Sequence, residues 1–184
     1  KGLVGTNNVD TNSRLCMSSA VAGYKQSLGA DAPPCAYEDI DAADLILIAG
    51  SNTAFAHPIV YRRIEDARAK NPALKLIVID PRATVTARAA DLHLALKPGT
   101  DIALFNAMLH VLRRDGLFSE FLDRHTENFE NLRPLIDHWT PERAAEVCDL
   151  PVERIVEAAR LFGNAKAALS LYCQGLNQSA SGTW

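Results

Sequence analysis

Four short apolar runs divide the chain, at residues 45–49, 75–79, 92–96 and 167–173. The first two, Leu-Ile-Leu-Ile-Ala and Lys-Leu-Ile-Val-Ile, lack polar alternation, as parallel strands buried on both faces do. Each run ends abruptly in small and polar residues. Between them lie helix-patterned stretches: 57–68, with Pro58 tolerated in its first turn, a short turn at 84–88, and a long helix over 102–112. Asn71-Pro72 closes the first of these before the second strand begins. Strand, loop and helix in succession predict parallel pairing through right-handed crossovers. Residues 115–164 read as a helical segment, with Thr140-Pro141-Glu142 and Leu150-Pro151-Val152 opening helices and Gly163-Asn164 ending the last. The final apolar run returns to the sheet. The expected fold is α/β, a Rossmann-like three-layer domain with a mostly parallel sheet plus that helical segment.

The first 35 residues break this pattern. A polar lead-in, Gly5-Thr6-Asn7-Asn8-Val9-Asp10-Thr11, precedes Cys16 and a helix-like run over 19–28. Gly29 to Pro34, with consecutive prolines, must end it. The organisation predicted is a segment 1–35 carrying Cys16, then an α/β domain over 36–184. Cys16 would sit near the positive end of a helix dipole and beside Arg14, which favours thiolate and soft-metal binding. A free cysteine is equally at home buried and inert. Cys16 alone leaves both readings open.

Composition narrows the classes. The 184 residues are 48% hydrophobic and 22% charged, ordinary for a globular domain, and the net charge of −3 leaves no general footprint for nucleic acid. No apolar run is long enough to span a membrane as a helix. The cysteines Cys16, Cys35, Cys148 and Cys173 form no Cys-x-x-Cys pair, so zinc-ribbon, ferredoxin and thioredoxin-like readings lack their spacing. Unpaired thiols fit a reducing compartment, hence the cytoplasm. The start at Lys1 and the loop-like end at Trp184 read as a piece of a larger protein.

In a parallel sheet the four strand-end loops share one edge, where ligands of this fold class bind. They are Gly50-Ser51-Asn52, Asp80-Pro81-Arg82, Pro98-Gly99-Thr100-Asp101 and Gln174-Gly175-Leu176-Asn177-Gln178. Glycine admits a phosphate close to backbone; Ser51, Asn52 and Thr100 offer hydrogen bonds; Asp101 can accept from the N1 and N2 edge of guanine. Neither Gly-x-Gly-x-x-Gly nor a P-loop occurs, which sets nicotinamide and ATP chemistry behind a larger nucleotide-like cofactor.

Taken in order, Asn12 with Cys16-Met17-Ser18-Ser19-Ala20-Val21-Ala22-Gly23, Gly50-Ser51-Asn52 with His57-Pro58, Asp80-Pro81-Arg82, Pro98-Gly99-Thr100-Asp101, and Gly175-Leu176-Asn177-Gln178 with Gly182-Thr183 resemble the bis-molybdopterin guanine dinucleotide oxidoreductases. Within that family the chain looks most like the assimilatory bacterial nitrate reductase branch. The resemblance implies a bis(molybdopterin guanine dinucleotide) molybdenum cofactor, with Cys16 as the metal's thiolate ligand. It places Met17 and Asp31 along the substrate funnel and Asn12, Gln174 and Gln178 beside the pterins. Gly50, Ser51, Asn52, Asp80, Pro81, Arg82, Gly99, Thr100 and Asp101 would hold a guanine dinucleotide arm, with Gly175 and Asn177 at the same edge. It also implies nitrate as substrate, an electron-donor protein or domain, and a 4Fe–4S cluster elsewhere in the parent protein. A fragment without that cluster should be inactive alone. Formate dehydrogenases of the family typically carry histidine after the ligand, where Met17 stands here. Periplasmic relatives carry Asn-Gln-His-Thr-Arg-Gly, whose arginine is replaced by Ser181. A formate dehydrogenase-like enzyme and a non-catalytic nucleotide-binding domain of the same fold are the rival readings.

Overall fold

Successive side chains of a strand point to opposite faces, so an unbroken apolar strand needs cover on both sides. In the computed structural model, which describes residues 2–117, 121–179 and 182, four strands meet that need. They are β1 (Leu45–Ala49), β2 (Lys75–Ile79), β3 (Leu92–Leu94) and β4 (Ala168–Tyr172), all parallel, in the order β3-β2-β1-β4. The helices are α1 (Ser18–Leu28), α2 (Asp39–Ala42), α3 (Thr53–Ala56), α4 (Pro58–Lys70), α5 (Val85–Arg88), α6 (Asp101–Arg114), α7 (Phe121–His125), α8 (Arg133–His138), α9 (Pro141–Cys148), α10 (Val152–Asn164) and α11 (Gln174–Asn177).

Leu45, Leu47, Ala49, Ile77 and Ile79 face one way and pack with Leu104 and Val111 of α6, Ala144 of α9, and Ile155 and Ala158 of α10. Ile46, Ile48, Leu76 and Val78 face the other way, onto Ile40 of α2, Ile64 of α4 and Ala87 of α5. Helices thus cover both faces, giving three layers. Burying each large aliphatic side chain contributes about 1.5–3 kcal/mol, which explains why such short strands persist.

Local signals place the boundaries. The Thr140 hydroxyl accepts from the Arg143 N–H and Pro141 occupies the first turn of α9, while Asp101 and the Arg113–Arg114 pair sit at the favourable ends of the α6 dipole. At the amino edge of the sheet, the Asp44 carboxylate accepts from the backbone N–H groups of Lys166 and Ala167, each at 3.0 Å, tying the start of β1 to that of β4.

Four details depart from the sequence pattern. The helix expected over 57–68 begins at Pro58 and is preceded by a separate turn, α3, because the Asn52 carbonyl accepts from both Phe55 and Ala56. The third strand stops at Leu94 rather than 96, and the Lys97 N–H is taken by the Cys148 carbonyl instead of a strand partner. α6 runs on to Arg114, where the pattern stops at 112. Residues 174–178, read as a loop, fold mostly into the helical turn α11.

Candidate functional site

Parallel pairing brings the carboxyl ends of all four strands to one edge. The chain steps outward from β1 to β2 to β3, then returns to the other side of β1 with β4, so the strand order reverses between β1 and β4. Crevices form at such reversals. Here Gly50 and Gly175 meet: the Gly175 N–H donates to the Gly50 carbonyl at 3.0 Å. A Cβ on Gly50 would lie 2.8 Å from the Gly175 Cα, and one on Gly175 would lie 2.6 Å from the Gly50 Cα. Gly50 also has φ +58°, a left-handed conformation that glycine adopts without strain.

The loops after β1 and β2 interlock. The Thr86 hydroxyl donates to the Asn52 side-chain oxygen at 3.1 Å and accepts from the Ala54 N–H at 3.0 Å. The buried Ser51 hydroxyl pairs with that of Thr53 at 2.9 Å. Asp80 is only 4% exposed; its carboxylate accepts from the Arg82 N–H at 2.8 Å, and its carbonyl is met by His93 Nε2 at 2.8 Å. Pro81 is exposed beside it. The Arg82 guanidinium extends into solvent, 3.9 Å from Asp80. Gly99, at φ +82°, turns the chain into α6, and the Thr100 hydroxyl donates to the Lys97 carbonyl at 2.6 Å. Asp101 follows in the first helical turn. Desolvation raises its carboxyl above the ordinary range, and the nearby charge of Asp80 adds to the effect.

The Cys16 segment docks on the β4 end of this edge. The Ser19 hydroxyl of α1 donates to the Asn177 carbonyl of α11. Gln174 Nε2 and Gln178 Nε2 donate to Cys16 Sγ at 3.7 and 3.4 Å, and Met17 Sδ lies 3.9 Å from the same sulfur. An open cleft of about 660 Å³ passes Leu15, Cys16, Ser19, Asn177 and Gln178. A larger groove of about 790 Å³, between α10 and the amino ends of β1 and β2, contains no candidate residue.

The structure therefore joins Cys16, Met17, Gln174, Gly175, Asn177 and Gln178 in one cluster with Gly50 behind it, and joins Ser51, Asn52, Asp80, Pro81, Arg82, Gly99, Thr100 and Asp101 along the rest of the edge. Asn12 is exposed in a short 3₁₀ turn whose carbonyl accepts from Leu15 and Met17, so it shapes the backbone leading to Cys16. Asp31 is exposed; its charge reaches Tyr172, whose hydroxyl is pushed up chiefly by burial and then by Tyr24 and Asp31. Arg14, expected beside the thiol, instead pairs with Asp10. Ser181 and Thr183 lie outside the described residues.

Thr86, Ser19 and His93 are site residues that the sequence pattern does not single out. Their partners stand 34, 158 and 13 residues away, and no spacing signals such contacts. Arg62 and Arg63 are engaged on the α4 surface by Glu65 and Asp66, and by Asp41.

A model of the molybdopterin oxidoreductase family matches residues 1–184, and the chain belongs to that family. It is 49% identical over 184 residues to a nitrate reductase of Synechocystis, covering all of this chain and 26% of that protein. It is 44% identical over 178 residues to the F420-dependent formate dehydrogenase subunit alpha of Methanocaldococcus jannaschii, covering 96% of this chain and 26% of that one. Among solved structures, acetylene hydratase from Pelobacter acetylenicus superposes with a TM-score of 0.79 at 25% identity, over 98% of this chain and 24% of that one. The chain spans about a quarter of the length of these relatives.

The residues present fit a molybdenum-bearing pterin. An exposed thiol faces open space, which suits a soft-metal ligand. The Gly50–Gly175 contact leaves backbone where a Cβ would intrude, and Asn177, 7% exposed, carries a buried Oδ1 with no partner among the described residues. Buried acceptors of this kind call for a missing partner.

Proposed function

We propose that the chain is part of the catalytic subunit of a molybdenum nitrate reductase, reducing nitrate to nitrite by oxygen-atom transfer at a bis(molybdopterin guanine dinucleotide) centre. The observation that carries this is the convergence of Cys16 Sγ with the amides of Gln174 and Gln178 at the β1/β4 crevice. Identity with a nitrate reductase over the whole chain supports the substrate. When bound, the molybdenum pterin supplies a two-electron centre able to accept an oxygen atom. This chain's residues bind and orient it: Cys16 holds the metal, and Asn12, Gln174, Gly175, Asn177 and Gln178 line the pterin. Gly50, Ser51, Asn52, Asp80, Pro81, Arg82, Gly99, Thr100 and Asp101 form the shelf for a guanine dinucleotide arm, with Arg82 for phosphate and Asp101 for guanine N–H groups. Met17 and Asp31 line the approach of nitrate.

Residues 1–35 act as the active-site segment and 36–184 as the cofactor domain. Electrons come from a 4Fe–4S cluster elsewhere in the parent protein, fed by a donor protein or domain, so residues 1–184 alone are inactive. The described residues include no helix long and apolar enough to cross a membrane, and the cytoplasm is proposed from four cysteines that all remain free.

The test is Cys16→Ala in the full-length protein, assayed for nitrate reduction with a reduced dye alongside molybdenum content. Turnover should fall by at least three orders of magnitude with the melting temperature unchanged; wild-type turnover would rule out the ligand role. A formate dehydrogenase reading has its own support in the 44% identity to such a subunit. Assaying the same enzyme with formate separates the two, and formate oxidation without nitrate reduction would reverse the assignment.

A further inference from the structure

The orientation of the Gln174 amide is not arbitrary. Its Oε1 accepts from Asn177 Nδ2 at 3.2 Å and from the Cys173 thiol at 3.9 Å. With Oε1 turned to these two donors, the Gln174 N–H₂ faces Cys16 Sγ, 3.7 Å away. Gln178, one turn further along, presents its own N–H₂ to the same sulfur, and the Ser19–Asn177 bond locks the Cys16 segment against this turn. Cys16 thus lies under two amide donors on one helical turn, with a third amide and a second thiol fixing the first of them.

We infer that Gln174 and Gln178 are positioning residues that tune the metal through its protein ligand, by donating hydrogen bonds to Cys16 Sγ. This rests on the proposed role of Cys16. A thiolate that accepts two N–H bonds shares less charge with its metal, which disfavours the oxidised state and raises the reduction potential; hydrogen bonds to sulfur act in this direction at iron–sulfur and related centres. Asn177 and Cys173 hold Gln174 in its donating orientation.

The test uses the full-length holoenzyme with Gln178→Met, which keeps length but has no N–H, Gln178→Glu, which presents an acceptor, and Gln178→Lys, which restores a donor. Gln174→Met reports on the second bond. Gln174 and Gln178 are exposed, so their substitution spares the core. Metal content, the electron paramagnetic resonance signal of one-electron-reduced molybdenum and its midpoint potential are measured. With metal retained, Gln178→Met should lower the potential so that the oxidised-to-reduced ratio at fixed poise rises several-fold, a tenfold rise being ~59 mV for one electron. Gln178→Glu should lower it further and Gln178→Lys should restore it. Unchanged potential and resonance in both Met variants at full metal content would overturn the inference and leave the ligand role standing. A wild-type protein without molybdenum would defeat the proposed function itself.

Discussion

The two edges of the sheet are made of the same strands yet treat polar groups in opposite ways. At the amino edge, Asp44 accepts two backbone N–H bonds, from Ala167 and Lys166, which hold its carboxyl below the ordinary range. At the carboxyl edge, desolvation of Asp101 outweighs the single backbone N–H bond its carboxylate accepts, its own, and the carboxyl is raised. The same edge carries a left-handed Gly50, a glycine contact with no room for a Cβ, and the unpartnered Asn177 Oδ1. One edge is satisfied by the chain alone. The other leaves a desolvated carboxyl and an unpartnered buried acceptor beside a glycine-only close approach, and such local departures from good folding practice mark functional sites.

Substitutions can break this contrast in order of size. Ile48, fully buried between the edges, supplies the reference: Ile48→Ala should destabilise by about 2–5 kcal/mol through transfer and cavity terms, read by urea denaturation of the parent protein. A loss below 1 kcal/mol would show that the sheet is not the load it appears in the packing. Gly50→Ala attacks the carboxyl edge. The left-handed φ costs about 1–2 kcal/mol in any L-residue, and overpacking against Gly175 adds ~1–3 kcal/mol. Cofactor content should fall with stability, whereas a neutral Gly50→Ala would mean that the two loops separate freely.

How much of this was legible in the residues depends on the range of the forces involved. The strands at 45–49 and 75–79 announced themselves because burial on both faces demands unbroken apolar runs, and the Thr140-Pro141 start of α9 because capping is local. The edge carrying the loops also followed, since parallel strands leave no other place for their ends. The turn at Gln174–Asn177 did not follow, because a four-residue helix around a glycine has little propensity of its own and is held by long-range contacts to Gly50 and Ser19. The Arg14 side chain is likewise taken up locally, by Asp10 four residues earlier.

The amino edge gives the next smaller effect. Asp44→Asn retains one acceptor oxygen and loses the other, so one of the two N–H groups is left to water. The expected loss is about 1 kcal/mol at neutral pH, read as a fall in denaturation midpoint. Its pH dependence has a definite sign. Because the folded-state pKa of Asp44 is lowered, its contribution is present in full above the ordinary carboxylate range and disappears as pH falls through the lowered value. Wild type and Asp44→Asn should therefore converge in acid, and a gap that persists there would reject the carboxylate as its source.

Asp101→Asn should give the smallest change in stability, and in the opposite direction. With its folded-state pKa raised by desolvation, Asp101 binds a proton more readily in the folded chain than in the unfolded one. Stability is then greatest below the ordinary carboxylate range and declines as pH rises through the raised value, so at neutral pH the desolvation of the ionised carboxylate outweighs its favourable place at the α6 dipole and works against the fold. Replacing it with the neutral amide removes that opposition, and the cofactor-free parent protein should melt slightly higher at pH 7 and the same in acid. In the proposed guanine-binding role of Asp101, the amide keeps one acceptor but turns an N–H₂ toward guanine donors, so retention of a guanine nucleotide should fall even as the fold gains. Guanine binding in the wild type should likewise weaken as pH drops through the raised pKa. A variant that melts lower and keeps its nucleotide would place Asp101 with Asp44, as a residue that serves the fold, and the difference between the two edges would then lie in the glycines and Asn177 alone.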